Sequence, residues 1–321
     1  MHKVENTLEN IAKVLVGAKD IALISHTSPD PDTLGSCFAL KYVLEKLGKT
    51  VTLYTDDVLP AAWAFLYDAY TVYETAKAHE VCVSIDCGDL GRVGDRVALL
   101  DAAKTSINID HHSTNSNFAQ MNFVQPTAAA TAEIIYELIP LLGAELDLTS
   151  ATRLYAAMTG DTGSFRYSNT TPKTMHIAAT LLDYGVDNWF INKTIFEDMS
   201  LDLLKLRGEL TSEMRVLAGG KVCAVVLKKD LCEKYGIPVE DVDNIVNIPR
   251  SVAGCEIAAS FKEANGKIKI SLRSSSYADV SAVAVSFGGG GHKKAAGFVL
   301  EGEMEEVVAR VLEAACACIE D

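Results

Sequence analysis

Four segments of the chain carry aspartate and histidine side chains where apolar stretches end. They are HTSPDPD at 26–32, SID at 84–86, IDHH at 109–112 and TGDTGSFRY at 159–167. Four of their carboxylates would share one cleft if the segments meet, namely Asp30, Asp32, Asp86 and Asp161. Such crowded negative charge is untenable without cations, and two divalent ions would balance it. The side-chain types therefore predict a dinuclear metal centre.

The mixture of ligand types narrows the choice of metal and of reaction. Imidazole and carboxylate together suit Mn²⁺ or Co²⁺ better than Mg²⁺, which seldom binds histidine. The ligand types leave Mn²⁺ and Co²⁺ both open; we expect Mn²⁺, with Co²⁺ and Mg²⁺ as alternatives. Asp30 and Asp32 point the same way in an extended loop and would serve adjacent ions, while Asp86 would bridge them. Two ions about 3.5–4 Å apart activate a bridging water and bind an attacked phosphoryl group.

Each segment also has an ordinary structural interpretation. SPDPD alone is typical of a turn, because proline and aspartate are favoured there, and a lone DHH is more often a cap or surface feature than a ligand set. The joint occurrence of acidic strand ends and three histidines favours metals over these separate interpretations. His2, His79 and His176 lie outside the segments and are interpreted as surface or helix-packing residues.

The first part of the chain alternates strand-like and helix-like stretches that would position these side chains. Strands are predicted at 21–25, 50–55, 81–86 and 105–110, and helices at 34–48, 92–103, 127–142, 149–159 and 173–184. This βαβ rhythm predicts an α/β fold with a doubly wound, mainly parallel sheet. The carboxyl ends of the strands of such a sheet line one crevice. The four charged segments would converge in that crevice.

A helical stretch at about 187–217 leads to a different pattern. Short strands are predicted at 221–229, 255–263 and 266–275, the last two as a hairpin, followed by a helix at 278–286, the run GGGGH and a helix at 303–319. We therefore predict a large domain at 1–195, a helical linker at 196–217 and a smaller α/β domain at 218–321.

Composition limits the compartment and the partners. No apolar run approaches the roughly 20 residues of a membrane-spanning helix, and the first residues, MHKVENTLENIAKVL, have helical spacing rather than the pattern of a signal peptide. The eight cysteines form no C-x-x-C pair and are expected to be reduced. We predict a cytoplasmic protein without a membrane partner. The net charge of −14 argues against binding of long duplexes and favours small, highly charged ligands.

Five motifs give the chain a specific family resemblance. SHTSPDPDTLGS, SIDCGD, NIDHHSTN and TGDTGSFRY resemble the four ordered motifs of the DHH phosphoesterase superfamily. SFGGGGHKKAAGF is similar to the signature of its small C-terminal DHH-associated domain. The resemblance spans almost the whole chain. It is closest to the branch of short-oligonucleotide ribonucleases (nano-RNases) that are also adenosine 3′,5′-bisphosphate (pAp) phosphatases.

The resemblance implies a role for each motif residue. One metal would be held by His26, Asp30 and Asp86, and the second by Asp32, Asp86, His111 and Asp161. His112 would face the substrate phosphate, and Asp110 would fix the orientation of a histidine. His112, Asp110 and Asp86 are thus the expected catalytic group. The chain departs from the family pattern at Pro31, where glycine is usual, and at Thr33, where alanine is common. Because proline fixes φ and restricts Asp30, this departure bears on metal spacing and preference.

The glycine-rich run of the second domain suggests an anion site. Its backbone N–H groups can approach a phosphate closely, although the run is equally typical of a flexible turn. The resemblance assigns substrate binding to Arg273, Gly289, Gly290, Gly291 and His292. Four further cations are left open between phosphate contact and a structural or surface role, namely Arg166, Arg250, Lys293 and Lys294.

The resulting prediction is a hydrolase, a two-metal phosphodiesterase and phosphomonoesterase. It would hydrolyse very short oligonucleotides and 3′-phosphorylated nucleotides such as adenosine 3′,5′-bisphosphate, by attack of a metal-activated hydroxide. A stand-alone phosphodiesterase of cyclic dinucleotides or their linear products is the alternative within the same architecture. A further alternative is an inert nucleotide-binding sensor, although a sensor need not keep a complete ligand set. A homodimer is expected on family grounds alone.

Overall fold

The computed structural model describes residues 7–264 and 266–320, with the side chain of Ala264 excluded. The chain forms two compact units, the first ending at Asp198 and the second beginning at Met199. Within the described residues, no helix is both long enough and apolar enough to cross a membrane. The predicted domain boundaries at 195 and 217 stay predictions.

The first unit is built on a six-stranded sheet. Its strands are β1 (Asp20–Ile24), β2 (Thr50–Thr55), β3 (Thr71–Val72), β4 (Val81–Ile85), β5 (Thr105–Asp110) and β6 (Met121–Val124). They lie in the order β3-β2-β1-β4-β5-β6, and every neighbouring pair is parallel. The predicted α/β class and parallel sheet are confirmed. The order reverses between β1 and β4, where open sheets of this kind form their ligand crevice.

Eight α-helices accompany this sheet in the described part of the unit. They are α1 (Leu8–Gly17), α2 (Pro31–Lys46), α3 (Leu90–Val93), α4 (Val97–Ala102), α5 (Thr131–Leu141), α6 (Leu148–Asp161), α7 (Pro172–Asp183) and α8 (Asn188–Asn192). The residues of β4 are all buried, as expected of a parallel strand covered on both faces. Two separate apolar clusters, one containing Leu23 and one containing Ala22, use alternate residues of β1.

Helices α2 and α6 approach each other closely enough to bring the start of one to the end of the other. A Cβ atom at Gly35 of α2 would lie 2.4 Å from the carbonyl oxygen of Arg153 in α6, so only glycine permits this packing. Pro31 is the first residue of α2, where its missing N–H costs no hydrogen bond. Its ring packs on Gly160, at which a Cβ would lie 2.8 Å from the Pro31 Cβ. The proline that departs from the family pattern thus begins a helix and contacts the residue before Asp161.

The second unit contains a mixed sheet with helices. Its elements are α9 (Leu201–Ser212), β7 (Arg215–Leu217), β8 (Val222–Leu227), α10 (Lys229–Tyr235), α11 (Asn247–Arg250), β9 (Ile257–Ala264), β10 (Lys267–Ser274), α12 (Val280–Ser286), β11 (Gly290–His292), β12 (Ala295–Leu300) and α13 (Met304–Cys316). The strand order is β11-β12-β10-β9-β8-β7, with β8 and β9 parallel and the other pairs antiparallel. The predicted hairpin of β9 and β10 is confirmed by this pairing.

Three predicted elements differ from the structure. The helical stretch at 187–217 is interrupted after a π-helical turn at Lys193–Glu197, since Ser200 begins a new helix by accepting a hydrogen bond from the Leu203 N–H. That helix, α9, packs within the second unit, and residues Arg215–Leu217 form strand β7 instead. The helix predicted at 92–103 breaks at Gly94, whose φ of 63° is left-handed. The glycine run is partly strand, because Gly290–His292 pair with β12.

Candidate metal centre

The carboxyl ends of three adjacent strands carry the predicted ligands. His26 follows β1, Asp86 directly follows β4, and His111 directly follows β5. The close contact of α2 with α6 adds the remaining carboxylates. Asp30 is the N-cap of α2, Asp32 lies in its first turn rather than in the extended loop that was predicted, and Asp161 ends α6. The crevice therefore collects side chains that are far apart in the sequence, as the strand pattern predicted.

These side chains form two groups of potential ligand atoms, and a third, overlapping group joins Asp86 and His111 with His112. In the first, the His26 Nε2 lies 3.3 Å from the Asp30 Oδ2 and 3.5 Å from the Asp86 Oδ2. In the second, the His111 Nε2 lies 3.4 Å from the Asp161 Oδ2 and 4.0 Å from the Asp32 Oδ2. Within each group the atoms are less than 4.8 Å apart, a spacing that could hold a metal ion.

Asp86 connects the two groups. Its Oδ2 faces His26, whereas its Oδ1 lies 3.6 Å from the His111 Nε2. One buried carboxylate thus presents a different oxygen to each group. This is the geometry expected of a ligand that bridges two ions.

Local hydrogen bonds hold the loop between β1 and α2 in place. The Asp30 Oδ1 caps α2 by accepting from the backbone N–H groups of Asp32 at 3.0 Å and Thr33 at 3.1 Å. The cap leaves the Asp30 Oδ2 directed at His26. The Thr33 hydroxyl accepts from the His26 N–H at 3.2 Å and donates to the Ile85 carbonyl at 3.0 Å. The loop is thereby fixed to the end of β4, next to Asp86.

The imidazole orientations fit metal binding. The His26 Nδ1 lies 2.9 Å from the Thr27 carbonyl, and the His111 Nδ1 lies 3.1 Å from the Ala128 carbonyl. Because a carbonyl only accepts, each Nδ1 carries a proton, and each Nε2 is the nitrogen that would present its lone pair to an ion in place of a proton. The His26 Nε2 is buried and has no hydrogen-bond partner among the described residues. A buried lone pair between two carboxylates fits a divalent cation.

The pKa values of the clustered side chains show how strongly the centre attracts positive charge. Burial alone lowers the pKa of His26, but the carboxylates of Asp30 and Asp86 outweigh it and raise the pKa to about 10. Burial likewise lowers the pKa of His111, and Asp161, Asp86 and Asp32 raise it to about 10. The Asp32 carboxyl shows the same crowding, since burial and the charges of Asp86 and Asp161 hold its pKa well above its usual range. The cluster therefore attracts protons or metal ions to balance its charge.

A second chain of hydrogen bonds orients His112. Its Nδ1 lies 2.7 Å from the Oδ1 of Asp110, which is fully buried. The Asn115 amide donates to the Asp110 Oδ2 at 2.5 Å. Burial raises the pKa of Asp110, but the bonds from His112 and Asn115 outweigh it and hold the pKa below its usual range. An ionised Asp110 fixes an imidazole whose Nδ1 also lies 3.7 Å from the Asp86 Oδ1.

The predicted substrate residues lie together in the second unit. Arg273 in β10 and His292 in β11 both pair with Ala295, on opposite sides of β12. The adjacent glycines are required by close packing, because a Cβ at Gly289 would lie 2.3 Å from the Phe298 Cβ and one at Gly291 would lie 2.5 Å from the Ala295 carbonyl. Gly290 pairs with Gly297 in the same ladder. The structure brings these residues together in one sheet, except Gly289, which directly precedes β11.

The four further cations whose role the sequence did not decide differ in their contacts and exposure. The Arg166 Nε donates to the Gly163 carbonyl at 2.6 Å, and its guanidinium lies 5.7 Å from the centre of the Phe196 ring. Arg250 ends α11. The Lys294 Nζ donates to the Ser275 carbonyl at 3.2 Å, and Lys293 is exposed.

The remaining histidines lie outside the ligand groups. His79 is buried between Asp20 and Tyr54, to which it is hydrogen-bonded. His176 is exposed on α7, and its Nδ1 faces the Pro172 carbonyl. His2 lies outside the described residues.

Sequence reasoning missed Thr131, the first residue of α5. Its hydroxyl donates to the Asp86 Oδ1 at 2.8 Å, and its backbone N–H donates to the Asp32 Oδ2 at 2.7 Å. One signal was available, because Ala130 at the N-cap position of α5 has no side chain that could accept these hydrogen bonds. A buried helix start without its own cap needs an acceptor from elsewhere in the fold.

Comparisons with known protein families match both parts of the chain. Residues 20–159 match the DHH family, N-terminal domain, and residues 219–321 match the DHHA1 domain. The first match includes every proposed ligand except Asp161, and the second includes Arg273 and His292.

Similar proteins and structures cover nearly the whole chain. A bifunctional oligoribonuclease and PAP phosphatase NrnA of Thermus thermophilus is 32% identical over 95% of this chain and 92% of its own. The Bacillus subtilis protein of that name is 27% identical over 86% of this chain and 88% of its own. The crystal structure of an exopolyphosphatase-related protein from Bacteroides fragilis superimposes with a TM-score of 0.89 at 27% identity, over 97% of this chain and 95% of that one.

Proposed function

The chain belongs to the DHH family, and we propose that it is a metal-dependent phosphoesterase of very short oligonucleotides and of 3′-phosphorylated nucleotides such as adenosine 3′,5′-bisphosphate. The observation that carries the proposal is the pair of ligand groups joined by the two oxygens of Asp86. The names of the similar NrnA proteins supply the substrate class.

The two ligand groups support one ion each. His26, Asp30 and Asp86 would hold one, and Asp32, Asp86, His111 and Asp161 would hold the other. When bound, two such ions supply an activated water and neutralise the charge that develops on the attacked phosphoryl group. We propose Mn²⁺ in both positions, because each group mixes imidazole with carboxylate. His112, held by Asp110, would orient the substrate phosphate or exchange a proton with it.

Recognition of the nucleotide is proposed for the second unit. Arg273 would bind a phosphate through its guanidinium, which suits paired phosphate oxygens. Gly289, Gly290, Gly291 and His292 would hold the phosphate or sugar beside it, since β11 lies in the same sheet as Arg273. This assignment makes 1–195 the catalytic domain and 218–321 the substrate-binding domain, with 196–217 between them.

The remaining proposals concern the length of the substrate, the cellular location and the oligomeric state. The net charge of −14 supports short substrates over long duplexes. The eight free cysteines, six of them buried, support a cytoplasmic location. We also propose a homodimer, and sedimentation of the purified protein would test it.

Metal removal tests the proposed function directly. The purified protein is stripped with a chelator, and phosphate release from adenosine 3′,5′-bisphosphate is followed as Mn²⁺ is restored. We expect the rate to fall by at least about a hundredfold on stripping and to return with added Mn²⁺, because the activated water is lost with the ions. Undiminished phosphate release in chelator would contradict a metal-dependent reaction.

A further inference from the structure

We propose that Thr131 is a positioning residue of the metal centre and that the start of α5 orients both Asp32 and Asp86 through it. The inference deepens the proposed function and rests on it, because it concerns how this chain's own residues prepare the two ion-binding groups. Three hydrogen bonds and an uncapped helix start carry the inference.

The first carboxylate that α5 orients is Asp32. Its Oδ2 accepts the Thr131 N–H at 2.7 Å and its Oδ1 accepts the Ala132 N–H at 3.1 Å. The Ser36 hydroxyl adds a bond to the Oδ1 at 3.2 Å. Because Ala130 cannot cap α5, Asp32 does so from 99 residues away in the sequence. These bonds to the start of the helix fix the rotation of the Asp32 carboxylate and offset part of the repulsion from its acidic neighbours.

The second carboxylate is Asp86, which the Thr131 side chain contacts. Asp86 has a left-handed φ of 63°, a conformation that costs a non-glycine residue some free energy and is kept only where its surroundings enforce it. The Thr131 hydroxyl donates to the Oδ1 at 2.8 Å, on the oxygen that faces His111. The other oxygen is thereby directed at His26. Thr131 thus fixes the rotation that lets one carboxylate serve both groups.

The two contacts together give α5 a defined role. One residue donates its backbone N–H to a carboxylate of the second group and its hydroxyl to the carboxylate shared by both groups. Partners of this kind, outside the ligands themselves, commonly change metal affinity by about 10–100-fold when they are removed. The effect should be specific to the hydroxyl, since the backbone bonds survive any substitution that keeps the helix.

The test compares two variants of Thr131 by calorimetric titration of the stripped protein with Mn²⁺. Thr131→Val keeps the shape but removes the hydroxyl, and we expect at least one Mn²⁺ to bind about tenfold or more weakly. Thr131→Ser keeps the hydroxyl, and we expect its affinity to stay within about threefold of the wild type. Far-ultraviolet circular dichroism and thermal melting report whether each variant is folded.

Thr55→Val provides a matched control. Thr55 is a fully buried threonine of β2, and its hydroxyl donates at 2.9 Å to the carbonyl of Asp57, which is not a proposed ligand. This variant should lose stability yet bind Mn²⁺ as the wild type does. Equal loss of Mn²⁺ affinity in the control would show a general effect of packing and overturn the inference.

The results for the two Thr131 variants also decide whether the inference stands. Wild-type Mn²⁺ affinity in Thr131→Val would overturn the role of the hydroxyl. If Thr131→Val proves unfolded, a tenfold loss of affinity in the hydroxyl-bearing Thr131→Ser would overturn that role instead. The readout is binding rather than turnover. A wild-type protein that binds Mn²⁺ but hydrolyses no nucleotide would therefore contradict the proposed function without touching the role of Thr131.

Discussion

Asp86 combines three properties that rarely occur in one aspartate. It is 2% exposed, it has a left-handed backbone, and its two carboxylate oxygens face different histidines. Buried carboxylates are stable only when they are paired or bind cations. These properties suit a carboxylate that is shared by two ions, and removal of the Asp86 carboxylate should weaken the binding of both.

Asp86→Asn should abolish turnover while the protein stays folded. Asparagine tolerates the left-handed conformation about as well as aspartate, and removal of one charge relieves repulsion in the metal-free cleft. We expect kcat to fall by at least about a hundredfold in saturating Mn²⁺. The melting temperature of the stripped variant should equal or exceed that of the stripped wild type.

Asp89→Asn supplies the control for this substitution. Asp89 lies in the same loop, is exposed and caps α3 by accepting the Arg92 N–H, which asparagine can also do. Its activity should stay near the wild type. Retention of more than about a tenth of the wild-type rate by Asp86→Asn would contradict the bridging role.

Most of the centre could be predicted at the scale of residues, and the exceptions have a physical cause. Charged side chains at strand ends are conspicuous, because such residues are costly beside a core. Thr131 and Asn115 are neutral and common, and their roles depend on partners that only the fold brings near. The missing cap at Ala130 signals that the start of α5 needs an acceptor, but it does not identify Asp32 or Asp86 as the partner.

At the scale of elements, a buried carboxylate organises the loop that follows β10. The Glu256 Oε1 accepts hydrogen bonds from the Ser274 hydroxyl at 3.0 Å and from the backbone N–H groups of Ser276, Tyr277 and Ala278 at 3.1, 2.8 and 2.8 Å. Burial raises the pKa of Glu256, but the bonds from this loop outweigh it and hold the pKa below its usual range. The ionised carboxylate thus fixes the segment directly after Arg273.

Glu256→Gln should loosen this loop without affecting the metal centre. The substitution keeps the shape but weakens four charge-assisted bonds, so we expect the free energy of unfolding at pH 7 to fall by about 1–2 kcal/mol. Because the folded-state pKa of Glu256 is depressed, its contribution is present at neutral pH and is lost as the pH falls below about 4. Denaturant unfolding at pH 7 and at a pH below about 4 measures the difference in the free energy of unfolding between the variant and the wild type.

The two pH values separate the charge of Glu256 from its shape. The stability gap should narrow at the lower pH, where the wild-type carboxyl is protonated. In Glu256→Gln the KM for nucleotides should rise, because the segment directly after Arg273 is loosened, while Mn²⁺ affinity stays unchanged. A gap that is independent of pH would contradict the role assigned to the ionised carboxylate.

Element prediction succeeded where periodicity was strong and failed where single residues decide. The buried strands β1, β4 and β5 followed from their apolar runs. The break before α9 depends on one capping serine, and strand β11 depends on pairing of glycines with β12. Neither feature changes the periodicity of the sequence, so a continuous helix was predicted at the first position and no strand at the second.

At the scale of the whole molecule, chemistry and recognition are assigned to different compact units. Every proposed metal ligand belongs to the unit that ends at Asp198, whereas Arg273 and the glycine-rich strand belong to the other. The fold class was predictable because the βαβ rhythm permits few topologies. The strand order was not, since it depends on contacts between distant segments.

Arg273→Ala should separate recognition from chemistry. We expect Mn²⁺ binding to be unchanged and kcat/KM for adenosine 3′,5′-bisphosphate to fall by about tenfold or more, because a guanidinium–phosphate contact is lost. Hydrolysis of bis-p-nitrophenyl phosphate should change by less than about threefold, since that ester has no second phosphate or nucleotide to bind.

Lys269→Ala is the matched control for Arg273→Ala. Lys269 is an exposed cation on the same face of β10, four residues earlier, and its loss should leave both substrates unaffected. Equal losses of rate for the ester and the nucleotide in Arg273→Ala would place Arg273 at the attacked phosphoryl group. The proposed separation of roles would then be wrong.

The central claim is that the protein hydrolyses very short oligonucleotides and 3′-phosphorylated nucleotides, and a comparison of kcat/KM across substrates with Mn²⁺ tests it most directly. The substrates are an RNA dinucleotide, adenosine 3′,5′-bisphosphate, an RNA of about 24 nucleotides, a cyclic dinucleotide and pyrophosphate, at low and high salt. We expect the first two to exceed the others by about tenfold or more, with the long RNA penalised further at low salt by the net charge of −14. Faster hydrolysis of the cyclic dinucleotide, the long RNA or pyrophosphate, or Mn²⁺ binding without any hydrolysis, would contradict the claim.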